Sequence, residues 1–472
     1  MVSINFPVST WPGIKPQEGA GRLINCRAER LGEGAEVQYV RHRVPGIAPW
    51  GTSSESNMRG SLLVGSTLYV AFEDTVVKYT SSGGASAAVD TLNGSDRVFF
   101  ARNNKRPTPD IAIVCQAGAF TLASDVISDL NDTDLPSPTD VCFLDGYFFY
   151  AIADGRCFAS GLNATTINSN DFTTTEAKAD DLYRSVPWNG QLLLCGSGSI
   201  EVWSGQPVND SGFPYNRVAV IQRGIAGQGA IAGYQDGFGK GLFFVGDDNA
   251  VHQLNGYTPQ KVSTPDLDRL IEAVADKDQL EMCVYISGGH PILSLSSAIW
   301  TWEYDMLTGS WYERQSYLDT KWRGTRAFYA FGKWLCGDLS SGNIGQISNT
   351  ACQEFGATMV AEAWSLPVQS FPNRVRCPRA DFNFSPGVGL LTGSDPNETN
   401  PNVEISYSDD GGYSFSTPRL RALGQQGKPR ARVTVFNNGL SGPQGRIWKV
   451  RMADPRHFGL MSGDMSAQLK AG

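Results

Sequence analysis

Four histidines, at 42, 252, 290 and 457, are all that this 472-residue chain offers for imidazole chemistry, and none stands at the spacing of a metal site or a catalytic triad. His252 lies within a strand pattern and reads as a packed or surface residue, while His42 and His457 sit among arginines. The nine cysteines (26, 115, 142, 157, 195, 283, 336, 352 and 377) contain no C-x-x-C pair and fall mostly inside apolar runs, so buried free thiols are expected. Gly227-x-Gly229-x-x-Ala232 follows a strand pattern like a dinucleotide loop, but GYQDGFGKG cannot supply the helix whose N-terminus would hold a pyrophosphate. Asp129, Asp132 and Asp134 lack the glycine and closing glutamate of a calcium loop and read as a solvated connection.

Ser408-Asp409-Asp410-Gly411-Gly412-Tyr413-Ser414-Phe415 fits the Asp-box pattern S-x-D-x-G-x-x-aromatic of sialidase propellers. Its chemistry is structural even there, the aspartate capping a hairpin turn over the aromatic ring. It occurs once, outside the repeated region described below. No catalytic, cofactor-binding or metal-binding residue is therefore assigned, and no cofactor and no enzymatic activity are expected. Two carboxylates brought together by a propeller would leave no local signature, so a glycan-binding or glycan-hydrolysing, sialidase-like propeller stands as the alternative.

The net charge of -8 argues against a general nucleic-acid coat, which needs clustered Lys and Arg to displace counterions. The polarity is uneven: Arg419 to His457 holds nine basic residues (419, 421, 428, 430, 432, 446, 449, 451 and 456) against Asp454 alone. Two readings stay open for it, a solvated face or a basic surface that meets an acidic neighbour or nucleic acid. The N-terminus MVSINFPVST carries no signal-peptide pattern, so folding in a cytoplasm is expected, and no apolar run has membrane-spanning length.

The elements that position these residues are short strands. Charged residues are 18% of the chain, below the usual quarter, while 52 glycines and 25 prolines point to an all-β chain with many turns. SVPWNGQLLLCGSGSIEVWSG, residues 185–205, is the clearest unit: Asn189-Gly190 is a tight-turn pair between two apolar strands, and a Gly-Ser turn leads to a third. The same grammar recurs from about 60, 97, 140, 185, 241, 282 and 326, a period suited to four-stranded propeller blades. Seven blades are expected, or six if the ragged unit at 97 is discounted. Thr264 as cap, Pro265, and Leu267, Leu270, Ile271 and Val274 at helical spacing predict one helix inside the fifth unit. The division expected is an extended N-terminal arm over 1–59, a β-propeller over 60–350, and a β-sandwich-like domain over 351–472.

LINCRAE and VPGI in the N-terminal part, WNGQLLLCGSGSIEVWSG, VIQRGIAG, PDLDRLI and GKWLCGDLSSGNIGQI together resemble a known family, scattered over residues 20–350. It is that of the hexameric tail hub, tail accessory or packaged-DNA stabilisation proteins of short-tailed bacteriophages. The closing stretch IWKVRMADPRHFGLMSGDMSA is similar to the ends of many phage structural proteins. The resemblance implies a virion protein made in the host cytoplasm that forms a homo-oligomeric, hexameric ring in the tail, a hub or nozzle. It also implies binding to a portal adaptor, retention of packaged double-stranded DNA and its passage during ejection, and support of fibres, spikes or a needle. No catalytic residues carry over.

Overall fold

The computed structural model describes residues 1–178, 180–205, 212–428 and 431–470. The chain forms two compact units, each discontinuous in sequence: one of residues 49–286 and 323–346, the other of residues 1–48, 287–322 and 347–472.

The first unit is a β-propeller. Its blades are antiparallel meanders, such as Met58–Val64, Thr67–Phe72, Thr75–Tyr79 and Ala87–Thr91, then Phe99–Arg102, Ile111–Cys115, Gly118–Ala123 and Val126–Asp129. The unit around Asn189 is built as its sequence predicts: Leu182–Trp188, Gln191–Gly196, Ile200–Gly205 and Tyr215–Ile221 pair in order. Asn189 and Gly190 take φ of 51° and 74°, so Trp188 faces Gln191 directly across a turn whose twist matches the strands it joins. Seven inner strands line one central cavity, beginning with Met58–Val64, Phe99–Arg102, Pro138–Leu144 and Leu182–Trp188 and continuing with Ile231–Ala232, Glu281–Ser287 and Gly324–Ala330. The fifth starts ten residues before the expected 241, because its inner strand is only Ile231–Ala232 and is hidden among glycines.

Five of the seams between successive blades are apolar cores. Ala71, Val76, Val98 and Ile113 fill the first; Val114, Val141, Phe148 and Tyr150 the second. Phe149, Leu192 and Leu194 fill the third, and Val186, Leu193, Leu242 and Phe244 the fourth. Met58, Leu68 and Val70 pack with Leu335 and Ile344, so the seventh blade meets the first and the ring closes. A fully buried side chain of this kind contributes about 1.5–3 kcal/mol, so no blade is stable without neighbours on both faces. The expected helix forms at Pro265–Glu272 with Thr264 as its cap, Leu267 and Ile271 buried, and Lys277 Nζ donating to the carbonyls of Ile271 and Val274 at its end.

The second unit is a β-sandwich. One sheet orders Cys26–Arg30, Tyr39–Arg43, Gly459–Lys470, Arg374–Phe384 and Val433–Phe436, with Val2–Ile4 also paired to Gly459–Lys470. The other runs through His290–Ser296, Thr301–Asp305, Ser310–Glu313 and Arg22–Ile24, then Ala361–Trp364, Ile447–Met452, Asn402–Ser408 and Arg419–Ala422. Leu23, Tyr312, Ala363, Trp448 and Val450 of this sheet share a core with Ile4, Cys26, Val375, Phe382 and Leu460 of the first.

Two expectations are corrected. Residues 1–48 are no extended arm: Leu23 and Cys26 are fully buried, and the strands Arg22–Ile24 and Tyr39–Arg43 pair with partners from the middle and the end of the chain. The boundaries 1–59, 60–350 and 351–472 also fail, because 287–322 belongs to the sandwich, where Ile24 pairs with Glu313. Long-range pairing of this kind leaves no mark in local periodicity.

Candidate functional site

Side chains from all seven blades converge at the propeller axis. Its cavity, about 490 Å³, is lined by Arg59, Arg97, Arg102, Arg184 and Arg326 with Asp236 and Glu281. Arg97, beside the second inner strand, reaches across to Glu281 on the sixth at 3.0 Å. Arg326 on the seventh donates to the same Glu281 oxygen at 3.3 Å and to the carbonyl of Met58 on the first. Burial opposes the charge of Glu281, but Arg326 and Arg97 outweigh it and hold its carboxyl below the usual range.

A second network completes the barrier. Arg184 donates to Asp140 at 2.8 Å, to the Gln228 carbonyl at 3.0 Å and to the Tyr234 hydroxyl at 2.9 Å, with its guanidinium 4.3 Å above the Phe99 ring. Burial works against the charge of Arg184, and Asp140 with Tyr234 reverse that, so it stays protonated. One network thus ties blades two, six, seven and one, and the other blades three, four and five, by charge-assisted hydrogen bonds, the strong class of such bonds. The axis is a polar cavity narrowed by these bonds. Only Arg102 among its arginines is exposed.

The residues singled out in the sequence fall elsewhere. In the Asp box, the Asp410 carboxylate accepts from Ser408 Oγ at 2.7 Å, from the Ser414 amide at 3.0 Å and from Ser414 Oγ at 2.5 Å, and these bonds push its pKa down. Phe415 packs edge-on against Trp364, centroids 4.7 Å apart. The Asp410 carboxylate is thus spent on the hairpin that joins Asn402–Ser408 to Arg419–Ala422. Gly227 and Gly229 press against 277–280, where a Cβ on Gly229 would lie 2.3 Å from the Leu280 carbonyl oxygen; the strand Ile231–Ala232 follows, not a helix. Asp132 and Asp134 accept from the backbone amides of Ile167 and Ser169, at 2.9 and 3.2 Å, and so tie their loop to the outer strand of the third blade. All nine cysteines are free thiols and eight are buried.

The basic segment is mostly engaged within its own unit, though among its described basic residues only Arg446 is buried. Arg446, 1% exposed, forms two 2.8 Å bonds to Asp409 and lies 3.8 Å over the Tyr407 ring. Arg451 pairs with Glu404 and Glu362, Arg456 with Glu398, and Lys449 stands over Phe415. Arg419 and Arg421 donate to the Phe436 and Thr434 carbonyls, closing the open edge of the facing sheet. Arg430 lies outside the described residues. What the sequence missed is the meeting of three histidines: His42 and His290 stand 3.7 and 3.9 Å from one Glu29 oxygen, and the His457 ring lies tilted against that of His42. Only the cross-strand pairing of Arg27 with His42 could have signalled it. Among the described residues no group of His, Cys, Asp or Glu is placed to hold a metal ion, and no helix is long and apolar enough to cross a membrane.

A seven-bladed propeller with a plugged axis, joined in one chain to a sandwich built from both termini, defines a class of structural β-propeller proteins. Within that class the chain belongs to the family described as Bacteriophage P22 Gp10, beta-propeller, whose model matches residues 29–352. It is a phage tail structural protein of that kind. No curated protein matches the chain. Among solved structures it is similar to the WD40 β-propeller domain of Doa1 (9% identity, 65% of this chain and 97% of that one, TM-score 0.41). The extracellular domain of the one-component system BT4673 from B. thetaiotaomicron (9%, 73% and 45%, 0.44) and U3-55K (9%, 64% and 99%, 0.41) are alike to a similar degree.

Proposed function

We propose that copies of this chain assemble into a closed ring in the phage tail, a hexamer whose lumen retains packaged DNA and passes it during ejection. The observation that carries this reading is the barred propeller axis. Arg97, Glu281, Arg326 and Arg184 cross it, and its 490 Å³ is too small for a duplex whose major groove alone is about 12 Å wide. A tail protein of this fold must therefore offer DNA a passage between copies, which a closed cyclic assembly provides. The same ring would dock on a portal adaptor and carry fibres, spikes or a needle. Its role is structural and without catalysis, a reading supported by the Asp box, where Asp410 is held by its own hairpin and Asp409 by Arg446.

Mass photometry of the full-length protein, alone and mixed with its phage's portal adaptor, tests the ring. A discrete high-order species is expected in at least one of the two, and a monomer in both would overturn the reading. Turnover of a capsular or lipopolysaccharide glycan, abolished by replacing one axial carboxylate, would overturn the absence of catalysis.

A further inference from the structure

Arg27 is 5% exposed, and neither a hydrogen bond nor an ion pair holds its guanidinium; Nε and Nη1 are buried without any partner. Every other arginine buried to this degree among the described residues, Arg41, Arg43, Arg59, Arg184, Arg314 and Arg446, is anchored on carbonyls or carboxylates. A buried cation without a counter-charge is among the costliest arrangements a fold can hold, and it marks the place of an anion.

The surroundings define which anion. Arg27 and Glu29 are two residues apart on one face of the strand Cys26–Arg30, the face opposite Cys26 and the sandwich core, and His42 is the cross-strand partner of Arg27. The turn at Gly288 passes directly over Arg27: a Cβ there would lie 3.4 Å from Arg27 Nη2 and 2.4 Å from Asn349 Nδ2, so only glycine brings both donors to this point. Ser287 Oγ bonds Asn349 Oδ1 at 3.0 Å, which turns the amide nitrogen the other way. Nη2 is the one guanidinium nitrogen outside the buried, unpartnered set. The Glu29 carboxylate, 41% exposed, stands on the same strand face two residues on. An anion seated here accepts from Arg27 and Asn349 yet must also satisfy a carboxylate, and only an oxyanion that carries its own proton does both.

We propose that Arg27, Asn349 and Glu29 form a phosphate site on the outer face of the sandwich, with Arg27 and Asn349 donating to bare oxygens and Glu29 accepting from a P–OH. Sulfate, which has no proton near neutral pH, leaves Glu29 facing a bare oxygen and is rejected. The phosphodiesters of a DNA backbone are rejected for the same reason.

The test uses full-length protein, followed by thermal unfolding and titration calorimetry in sodium phosphate and in sodium sulfate at matched ionic strength. A saturable rise in Tm and a saturable heat are expected with phosphate, and binding roughly tenfold or more weaker with sulfate, since a site built to bond a hydroxyl rejects the analogue lacking it. Arg27→Met is expected to lose the phosphate response. Glu29→Gln, at an exposed position that does not endanger folding, is expected to bring sulfate level with phosphate. At about pH 6, where roughly half of a monoester still carries its second proton, a phenyl phosphate arm distinguishes a site for the free ion from one for a monoester group. No response to phosphate, an equal response to both anions, persistence of the response in Arg27→Met, or unchanged discrimination in Glu29→Gln would each overturn the proposal.

Discussion

His42 and His457 stack with centroids 5.1 Å apart, and both pKa values are lowered, first by burial. Arg27 and His290 add to the effect at His42, as do His42 and Arg43 at His457, while Glu29 opposes it at both. In the unfolded chain these rings protonate near 6.5. With folded values below that, their contribution to stability is whole above about pH 6.5 and is lost as the pH falls through the lower folded values. Tm is therefore expected to drop between pH 7.5 and 5.5, and less so in His457→Gln; an equal drop in that variant would refute the assignment. A second residue-scale asymmetry lies in Arg446 and Asp409. Asp409 is 32% exposed and can hydrate if left alone, whereas Arg446 cannot. Asp409→Ala should thus approach the roughly 3–5 kcal/mol of a broken buried pair, and Arg446→Met, which removes the buried charge itself, should cost clearly less. Denaturant unfolding of the two variants decides it.

At the scale of elements, the blade hairpins depend on backbone angles that few residues accept. Gly190 has φ of 74° and open space around its Cβ position, so a substitution there is penalised by conformation and not by collision. Gly190→Val should cost about 1–3 kcal/mol, and Gly190→Asn should recover most of it, because asparagine tolerates that region. Equal destabilisation by both would point to packing instead. The inner strands carry the second lesson. Their positions were legible where apolar alternation was long, as at Leu182–Trp188, and not where the strand shrank to Ile231–Ala232 among glycines placed for close approach.

At the scale of the molecule, neither unit is a continuous segment. A fragment of residues 60–350, which the repeat pattern alone delimits, would retain Thr301–Asp305 and Ser310–Glu313 without Arg22–Ile24, and would leave Trp311 and Tyr312 uncovered. It would also lack Gly46–Thr52, which stands in the sheet of the seventh blade. Large exposed apolar surface drives association, so this fragment is expected to aggregate or to be cleaved rapidly while the full chain resists. A soluble, protease-resistant fragment would contradict the unit assignment. Salt is expected to affect assembly of the full chain weakly, since Arg446, Arg451 and Arg456 already have carboxylate partners within their own unit. Steep dissolution of the ring between low and moderate salt, read by sedimentation, would show the opposite.

The amino-acid sequence by itself determined what depends on neighbours a few residues apart: the turn at Asn189-Gly190, the Thr264-capped helix, the hairpin role of Ser408 to Phe415, and the recurrence that makes a propeller. Local backbone preference and period-two alternation are sufficient cause for each. Only the tertiary structure decided that the first 48 residues are sandwich strands, that arginines of three blades cross the axis, and that Arg27, Glu29 and three histidines from distant segments meet on one face. The reason is physical: a cross-axis ion pair or a strand added from the far end of the chain depends on desolvation and register, which exist only once the sheets have packed.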